Sequence, residues 1–158
     1  MTKNISFTHK IDPLWDAVKQ IRNKVEASLK NECSQELCDA SKMTASELIE
    51  NAVKHGSAVD NGEGIHFEFV ATEKQIKVTA ANKVQYKEDF ETLQCYIDKI
   101  NESNDPQELY LERLKMLMDN TRLVKTQLGL FRIAYEGEFM LDYNFEDNIL
   151  TVIATRDI

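Results

Sequence analysis

The sequence predicts an α+β fold, a two-layer sandwich in which a mostly antiparallel sheet carries its helices on one face. Three observations favour this class. Segments with the two-residue alternation of half-buried strands occur near both ends and in the middle of the chain. Segments with the 3.6-residue period of amphipathic helices separate them. Short turns join two pairs of consecutive strands, which indicates antiparallel neighbours with the helices segregated to one face.

The N-terminal residues predict one strand followed by one helix. Residues 4–11 alternate between apolar and polar side chains, with Ile5 and Phe7 on the apolar side, as in a half-buried strand. Asp12 and Pro13 have the residue types of a helix N-cap and of the first helical position. The helix is indicated by apolar residues spaced three or four apart, namely Leu14, Val18, Ile21, Val25 and Leu29.

A second helix is predicted from Ser34 to about His55. Ser34 is a favourable N-cap, and Glu36 in the first turn and Lys54 in the last turn follow the charge order that the helix dipole favours. Gly56 can adopt the left-handed conformation of a C-cap. The face that we expect to pack on the core carries Leu37, Thr44, Leu48 and Ala52.

The remainder of the chain shows the same two periods. They predict two strands, three helical stretches and a closing hairpin, at residues 65–71, 75–81, 88–101, 106–120, 125–135, 140–145 and 149–153. No repeat or linker divides the sequence, so we expect one domain over residues 1–158, with a helical insert at about residues 84–124.

Composition and charge argue against several classes of function. The chain has 158 residues, of which 42% are hydrophobic, and a formal net charge of −8. This balance argues against a binder of nucleic acid or of anionic membranes, because both need a basic face. No apolar run is long enough for a transmembrane span. The N-terminus lacks a signal-peptide core and the three cysteines are irregularly spaced, so we expect reduced thiols in a cytoplasmic protein.

The segment from Glu47 to His55 is the part of the sequence that offers most chemistry. Glu47, Asn51 and His55 are spaced four apart and share one face of the predicted helix. A carboxylate one turn from a carboxamide can orient a water molecule and hold a hard cation. The alternative is an ordinary solvent-exposed face, with His55 only as a helix-end residue.

The pattern E-L-x-x-N-A-x-x-H in this segment resembles the N box of the GHKL (Bergerat-fold) ATPase and kinase superfamily. The order of predicted elements matches that superfamily over nearly the whole chain, and the insert at about 84–124 takes the place of its ATP lid. The resemblance implies a histidine-kinase-like ATPase fold. It also implies that Glu47 is the catalytic base and that Asn51 binds the Mg²⁺ of a bound nucleotide.

The adenine-binding motif of that superfamily, D-x-G-x-G, has a literal counterpart at Asp60–Gly64. In the superfamily, however, the motif follows the strand pair that comes after the N-box helix, whereas Asp60 comes before that pair. We interpret Asp60–Gly64 as a turn. The corresponding place lies at residues 80–84, where Asn82 is the polar candidate for accepting a hydrogen bond from an adenine amino group.

The glycine-rich segment that cradles phosphates in the superfamily is represented here by Gly129, before a predicted helix. Gln127 and Leu128 stand where glycines usually let the backbone approach phosphate, and a Cβ there limits that approach. Arg122 and Lys125 are either positive charges for a phosphate or ordinary solvated side chains.

The outline is closest to anti-sigma-factor-type serine kinases and SiaB-like regulators. It implies a bacterial signalling regulator with weak or absent binding of ATP and Mg²⁺, which acts on a regulatory protein partner or pairs with a second copy. The alternative is an active ATP- and Mg²⁺-dependent serine/threonine kinase of a partner regulator. A third interpretation is an unrelated α+β domain. Leu111, Met116 and Met118 are either a partner surface or packing within the insert.

Overall fold

The computed structural model describes residues 4–11, 16–55, 65–119 and 126–158, and it confirms the predicted α+β class. Five strands and five helices occur in these ranges: β1 Ile5–Ile11, α1 Asp16–Leu29, α2 Gln35–His55, β2 Ile65–Ala71, β3 Gln75–Lys83, α3 Lys87–Glu102, α4 Pro106–Asp119, α5 Thr126–Tyr135, β4 Met140–Glu146 and β5 Ile149–Asp157. Several predicted features lie outside the described residues: Asp12, Pro13, Leu14, Gly56, Asp60–Gly64, Arg122 and Lys125.

The five strands form one sheet in the order β1-β2-β3-β5-β4, and all four neighbouring pairs are antiparallel. β1 and β4 are therefore the two edge strands. β5 pairs with β3 in the sheet, although α3, α4, α5 and β4 separate the two strands in the chain. The pairing of β3 with β5 places Asn82 opposite Leu150.

One face of the sheet is buried and packs against the helices. Phe67 and Phe69 on β2 and Ile76 and Val78 on β3 are at most 1% exposed, whereas the residues between them in sequence point away from the core. α2 lies over β3 and β2, and α3 and α5 lie against β4. The helices thus cover one side of the sheet, as the two-layer arrangement requires.

Local signals in the sequence account for the start of α2 and for the turn between β4 and β5. Ser34 Oγ accepts a hydrogen bond from the Leu37 amide at 3.2 Å, which confirms the predicted N-cap of α2. Asp147 and Asn148 both have positive φ angles, of 53° and 63°, and form the two-residue loop between β4 and β5. Such a loop matches the twist of the flanking strands, and asparagine and aspartate tolerate it well.

Several details differ from the prediction. In α1, Ala17 is buried whereas Val18, which was expected in the core-facing stripe, is only half-buried. β5 continues to Asp157 instead of ending at residue 153. β3 continues to Lys83 instead of ending at residue 81, because β5 is long enough to pair with it as far as Ile149. Among the described helices, none combines the length and apolar character needed to cross a membrane.

Candidate functional site

α2 places Asn51 against the core. Leu48 and Ala52 on its inner face are 1% and 3% exposed, and Asn51 between them is only 7% exposed. The Glu47 side chain is 13% exposed. A solvent-exposed face is therefore the wrong interpretation for both residues, because α2 packs against α5 on one side and against β2 and β3 on another.

Asn51 lines a cavity of about 370 Å³ between α2, α3, α5 and the strands β3 and β5. Asn82 on β3 lines the same space, and we call it the carboxamide cavity after these two residues. The remainder of the lining is mostly apolar: Leu48, Ala52, Ala80, Val84, Leu93, Leu130, Leu150 and Val152, with Lys54, Asp89, Thr92 and Tyr96. Two of the predicted site residues, 31 positions apart in sequence, are thus brought together.

The two carboxamides offer complementary hydrogen-bonding groups. Asn51 Nδ2 is buried and has no hydrogen-bond partner among the described residues. Asn82 Nδ2 donates to the Lys83 carbonyl oxygen at 3.2 Å, which fixes the orientation of the amide and leaves Oδ1 as an acceptor. The cavity is therefore lined by a residue of α2 with an unused donor and by a residue of β3 with an acceptor.

Glu47 does not open into this cavity, although it lies only one turn from Asn51. It lines a neighbouring hollow of about 330 Å³, which we call the glutamate hollow after Glu47, Glu50 and Glu136. Glu47 Oε1 is paired with Arg132 Nη1 at 3.0 Å. The arrangement separates the predicted base from the predicted magnesium ligand, and of the residues that the structure describes only Lys54 lines both spaces.

Arg132 is the centre of a network that joins three helices. Its Nε donates to Glu136 Oε2 at 2.9 Å, and Tyr110 on α4 donates its hydroxyl hydrogen to Glu136 Oε1 at 3.0 Å. Burial alone would lower the pKa of Arg132, but the hydrogen bond and charge of Glu136, together with Glu47, outweigh it and raise that pKa. The guanidinium therefore stays charged and holds α2, α4 and α5 together.

Gly129 lies inside α5, within the helix predicted at 125–135, so the interpretation that it precedes a helix is wrong. It is the fourth residue of the helix, because the regular structure begins at Thr126. A Cβ built on Gly129 would overlap Glu47 Oε2 and lie 3.1 Å from Glu47 Cδ. The glycine therefore has a packing reason: its missing side chain makes room for the Glu47 carboxylate. A phosphate-binding role for Gly129 stays a prediction.

The described residues offer a magnesium–triphosphate group few protein ligands. Magnesium on a nucleotide is usually held by one or two carboxylates together with phosphate oxygens. Of the predicted pair, only Asn51 could present an oxygen to a cation, because Arg132 engages the Glu47 carboxylate. The hollow where phosphates would lie contains three glutamates against two cations.

Neither a scan against models of known protein families nor a search of curated proteins finds a match to this chain. The resemblance of the Glu47–His55 segment to the GHKL N box therefore stays a prediction. His55 ends α2, and its side chain lies outside the described part of the structure.

Sequence reasoning missed the network around Arg132. Arg132 lies in the last turn of α5 and Glu136 directly follows the helix, four residues on, so their ion pair could have been found from spacing alone. Arg132 and Glu47 are 85 positions apart, so no local sequence pattern indicates their contact. Tyr110 fits the apolar spacing of the helix predicted at 106–120, and that spacing does not indicate that its hydroxyl donates to Glu136.

Proposed function

We propose that this chain is a bacterial, cytoplasmic signalling regulator with a divergent histidine-kinase-like ATPase domain, which binds ATP weakly or not at all and acts on a protein partner. The observation that carries the proposal is the 3.0 Å ion pair between Glu47 and Arg132. A carboxylate that accepts a hydrogen bond from a guanidinium is less able to take a proton from a substrate, because its lone pair is engaged.

The charge distribution supports weak nucleotide binding. Glu47, Glu50 and Glu136 line the hollow next to the carboxamide cavity, and the guanidinium of Arg132 is already shared between two of them. Within the described part of the chain, a triphosphate entering this space would face these three carboxylates, with Arg132 already paired and Lys54 as the other cation. The phosphates then add little affinity, which is the opposite of what an ATP-dependent kinase needs.

The surface of α4 supports a role in protein interaction. None of its 14 residues is buried, yet Leu111 is 52% exposed and Met118 is 78% exposed. These two residues are seven apart and lie on one side of the helix. Exposed large apolar side chains on one helix face are typical of contact surfaces, and methionine adapts to varied partners.

Nucleotide titration and an ATP hydrolysis assay test the catalytic half of the proposal. We expect no saturation of the wild-type protein below millimolar ATP or ADP, with or without Mg²⁺, and no ADP release above buffer. Magnesium-dependent turnover that disappears in Glu47→Ala would show that Glu47 acts as a base, and it would contradict the proposal.

A pull-down with matched variants tests the interaction half. Wild-type protein, Leu111→Ser/Met118→Ser and the control Met140→Ser are compared as baits. Met140 is a similarly exposed methionine, 62% accessible, but it lies on the edge strand β4. We expect one partner to be lost with the double variant and kept with the control. Loss with both baits, or with neither, would remove α4 from the interaction.

The alternative is an active ATP- and Mg²⁺-dependent serine/threonine kinase of a partner regulator. One observation favours it: Asn51 and Asn82, which the resemblance assigns to magnesium and adenine, line one cavity. In this case Arg132 has to leave Glu47 when nucleotide binds. Glu47→Ala would then retain nucleotide binding but lose turnover, whereas Asn51→Ala would weaken the magnesium dependence.

A further inference from the structure

We infer that a groove of about 970 Å³ between α3, α4, α5 and β4 binds a linear aliphatic polyamine, a chain of methylene groups with ammonium groups along it. We call it the acidic groove after Asp105, Glu138 and Asp142, which line it. Among the described residues, none lines both this groove and either the carboxamide cavity or the glutamate hollow. The inference therefore goes beyond the proposed function and does not depend on it.

The charge of the groove lining is the first argument. Asp105, Glu138 and Asp142 come from three places in the chain, namely the start of α4, the loop after α5 and β4. Within the described ranges, no Lys, Arg or His lines the groove. Glu138 pairs with Arg156, but that guanidinium is shared with Glu36. The lining thus attracts a ligand with several positive charges, and the net charge of −8 steers such a ligand toward the protein.

Two of these carboxylates each have an uncommitted oxygen. Asp105 Oδ1 accepts a hydrogen bond from the Glu108 amide at 3.1 Å, and Asp142 Oδ1 accepts one from the Tyr143 amide at 2.8 Å. In the part of the chain that the structure describes, Oδ2 of both residues has no hydrogen-bond or ion-pair partner. Ammonium groups of a ligand can therefore donate to two carboxylates without displacing a protein cation.

The floor of the groove is the second argument. Ile100, Phe139 and Leu141 line it and are buried, and Tyr135 adds an aromatic ring. Met140 also lines the groove, but it is 62% exposed and does not belong to this floor. The methylene groups of a polyamine can cover the floor while its ammonium groups reach the carboxylates. An inorganic cation matches the charge of the lining but leaves the apolar floor in water.

The edge of β4 is the third argument, because it disfavours a basic peptide as the occupant. Peptides often bind beside an exposed sheet edge through main-chain hydrogen bonds. Asn101 Nδ2 already donates to the Leu141 carbonyl oxygen on β4 at 3.0 Å, so this acceptor is occupied. A polyamine has no peptide backbone to satisfy and needs carboxylate acceptors alone.

Calorimetric titration of the full chain at low ionic strength tests the inference. The probes are spermidine and three octanes substituted at both ends, as the diamine, the diol and the dicarboxylate, so that among the octanes only the charge changes. The terminal diamine of propane keeps the charge and shortens the chain. We expect spermidine and the octane diamine to saturate below about 1 mM, and the other three compounds to bind at least about tenfold more weakly.

Two double variants assign this binding to the groove. Asp105→Asn/Asp142→Asn removes two charges but keeps the Oδ1 acceptors that cap α4 and bind the Tyr143 amide. We expect it to weaken spermidine binding at least about tenfold. The matched control, Glu112→Gln/Glu146→Gln, removes two charges from exposed residues that do not line the groove. We expect the control to keep wild-type affinity.

Several outcomes would overturn the inference. They are flat titrations with both spermidine and the octane diamine, equal weakening in the two double variants, and displacement of spermidine by Mg²⁺ at equal charge concentration. If the groove variant does not fold, amide chemical-shift mapping on the wild-type protein decides: spermidine must shift the side-chain amides of Asn101 and Gln107, which line the groove.

The α4 variant separates this inference from the proposed function. Leu111 and Met118 do not line the acidic groove, so Leu111→Ser/Met118→Ser is expected to bind spermidine as tightly as wild type. Loss of spermidine binding in this variant, once it is shown to be folded, would contradict the assignment to the groove. Titration with ATP tests only the proposed function, because the nucleotide-sized cavity lies elsewhere.

Discussion

The Glu47 carboxylate on α2 occupies the space that a side chain at Gly129 on α5 would need, so these two residues are complementary in shape. The contact holds Glu47 beside Arg132 on the next turn of α5. Glu47 is thus enclosed by one helix in two ways, by the space that a glycine leaves and by the charge that an arginine supplies.

Gly129→Ala is expected to destabilise the protein even though alanine favours helices by about 1 kcal/mol over glycine. The new Cβ would displace the Glu47 carboxylate from Arg132, and we expect a net loss of about 1–2 kcal/mol in urea unfolding. The double variant Gly129→Ala/Glu47→Ala removes the overlap, so it is expected to be more stable than Glu47→Ala alone. A lower stability of the double variant would mean that Glu47 does not limit space at position 129.

The ion pair between Glu47 and Arg132 is expected to contribute measurably to stability. Arg132→Met leaves the 13% exposed Glu47 side chain without its cation, and we expect a loss of about 1–2 kcal/mol in urea unfolding, since Arg132 itself is 36% exposed. Combining it with Glu47→Gln should restore part of this loss. The control is Lys87→Met, which breaks the exposed Lys87–Glu91 pair and should change stability by less than about 0.5 kcal/mol.

Stability at alkaline pH is expected to depend on Tyr110. Burial, and then its hydrogen bond to Glu136, raise the pKa of Tyr110 above its usual value of 10.0. The folded state thus holds this proton more tightly than the unfolded chain. This contribution to the free energy of unfolding is complete below about pH 10 and is lost as pH rises through the folded pKa.

Urea unfolding of wild type and Tyr110→Phe between pH 8 and pH 11 measures this contribution. Wild type should lose more stability than Tyr110→Phe above about pH 10, so the two curves converge. Tyr86→Phe is the control. Tyr86 is 59% exposed at the start of α3, and this substitution removes a tyrosine hydroxyl without affecting Glu136. Parallel curves for wild type and Tyr110→Phe would contradict the prediction.

Asn51→Leu is expected to raise the free energy of unfolding. Replacing a buried donor that has no partner with an apolar side chain removes a desolvation cost, and we expect a gain of about 1 kcal/mol in the absence of ligand. Stability gained at the expense of function is common at binding sites. A loss of stability in Asn51→Leu would indicate that water satisfies Nδ2 in the free protein.

Much of the fold could be predicted because its signals are local. The bounds of α2 follow from the cap at Ser34 and from helical spacing, and the β4–β5 loop follows from residues that tolerate positive φ. The placement of β5 beside β3 could not be predicted, since register depends on pairing between distant segments, such as Asn82 with Leu150.

The candidate site could be predicted in its members but not in its geometry. Spacing put Glu47 and Asn51 on one helix face, and order along the chain suggested Asn82. The sequence could not show that Glu47 and Asn51 line different spaces, because residues of α5, which are distant in the chain, contribute to the walls of both. The burial of Asn51 could not be predicted either, since a polar residue in an amphipathic pattern is interpreted as solvent-exposed.

The carboxamide cavity is assembled from five elements, α2, β3, α3, α5 and β5, that span most of the chain. Unfolding any one of them removes a wall, so a ligand bound there is linked to the folding of the whole protein rather than to one loop. Each tenfold excess of ligand over its dissociation constant should add about 1.4 kcal/mol to global stability. The melting temperature of the protein therefore reports ligand binding, and compounds can be screened by thermal shift without an activity assay.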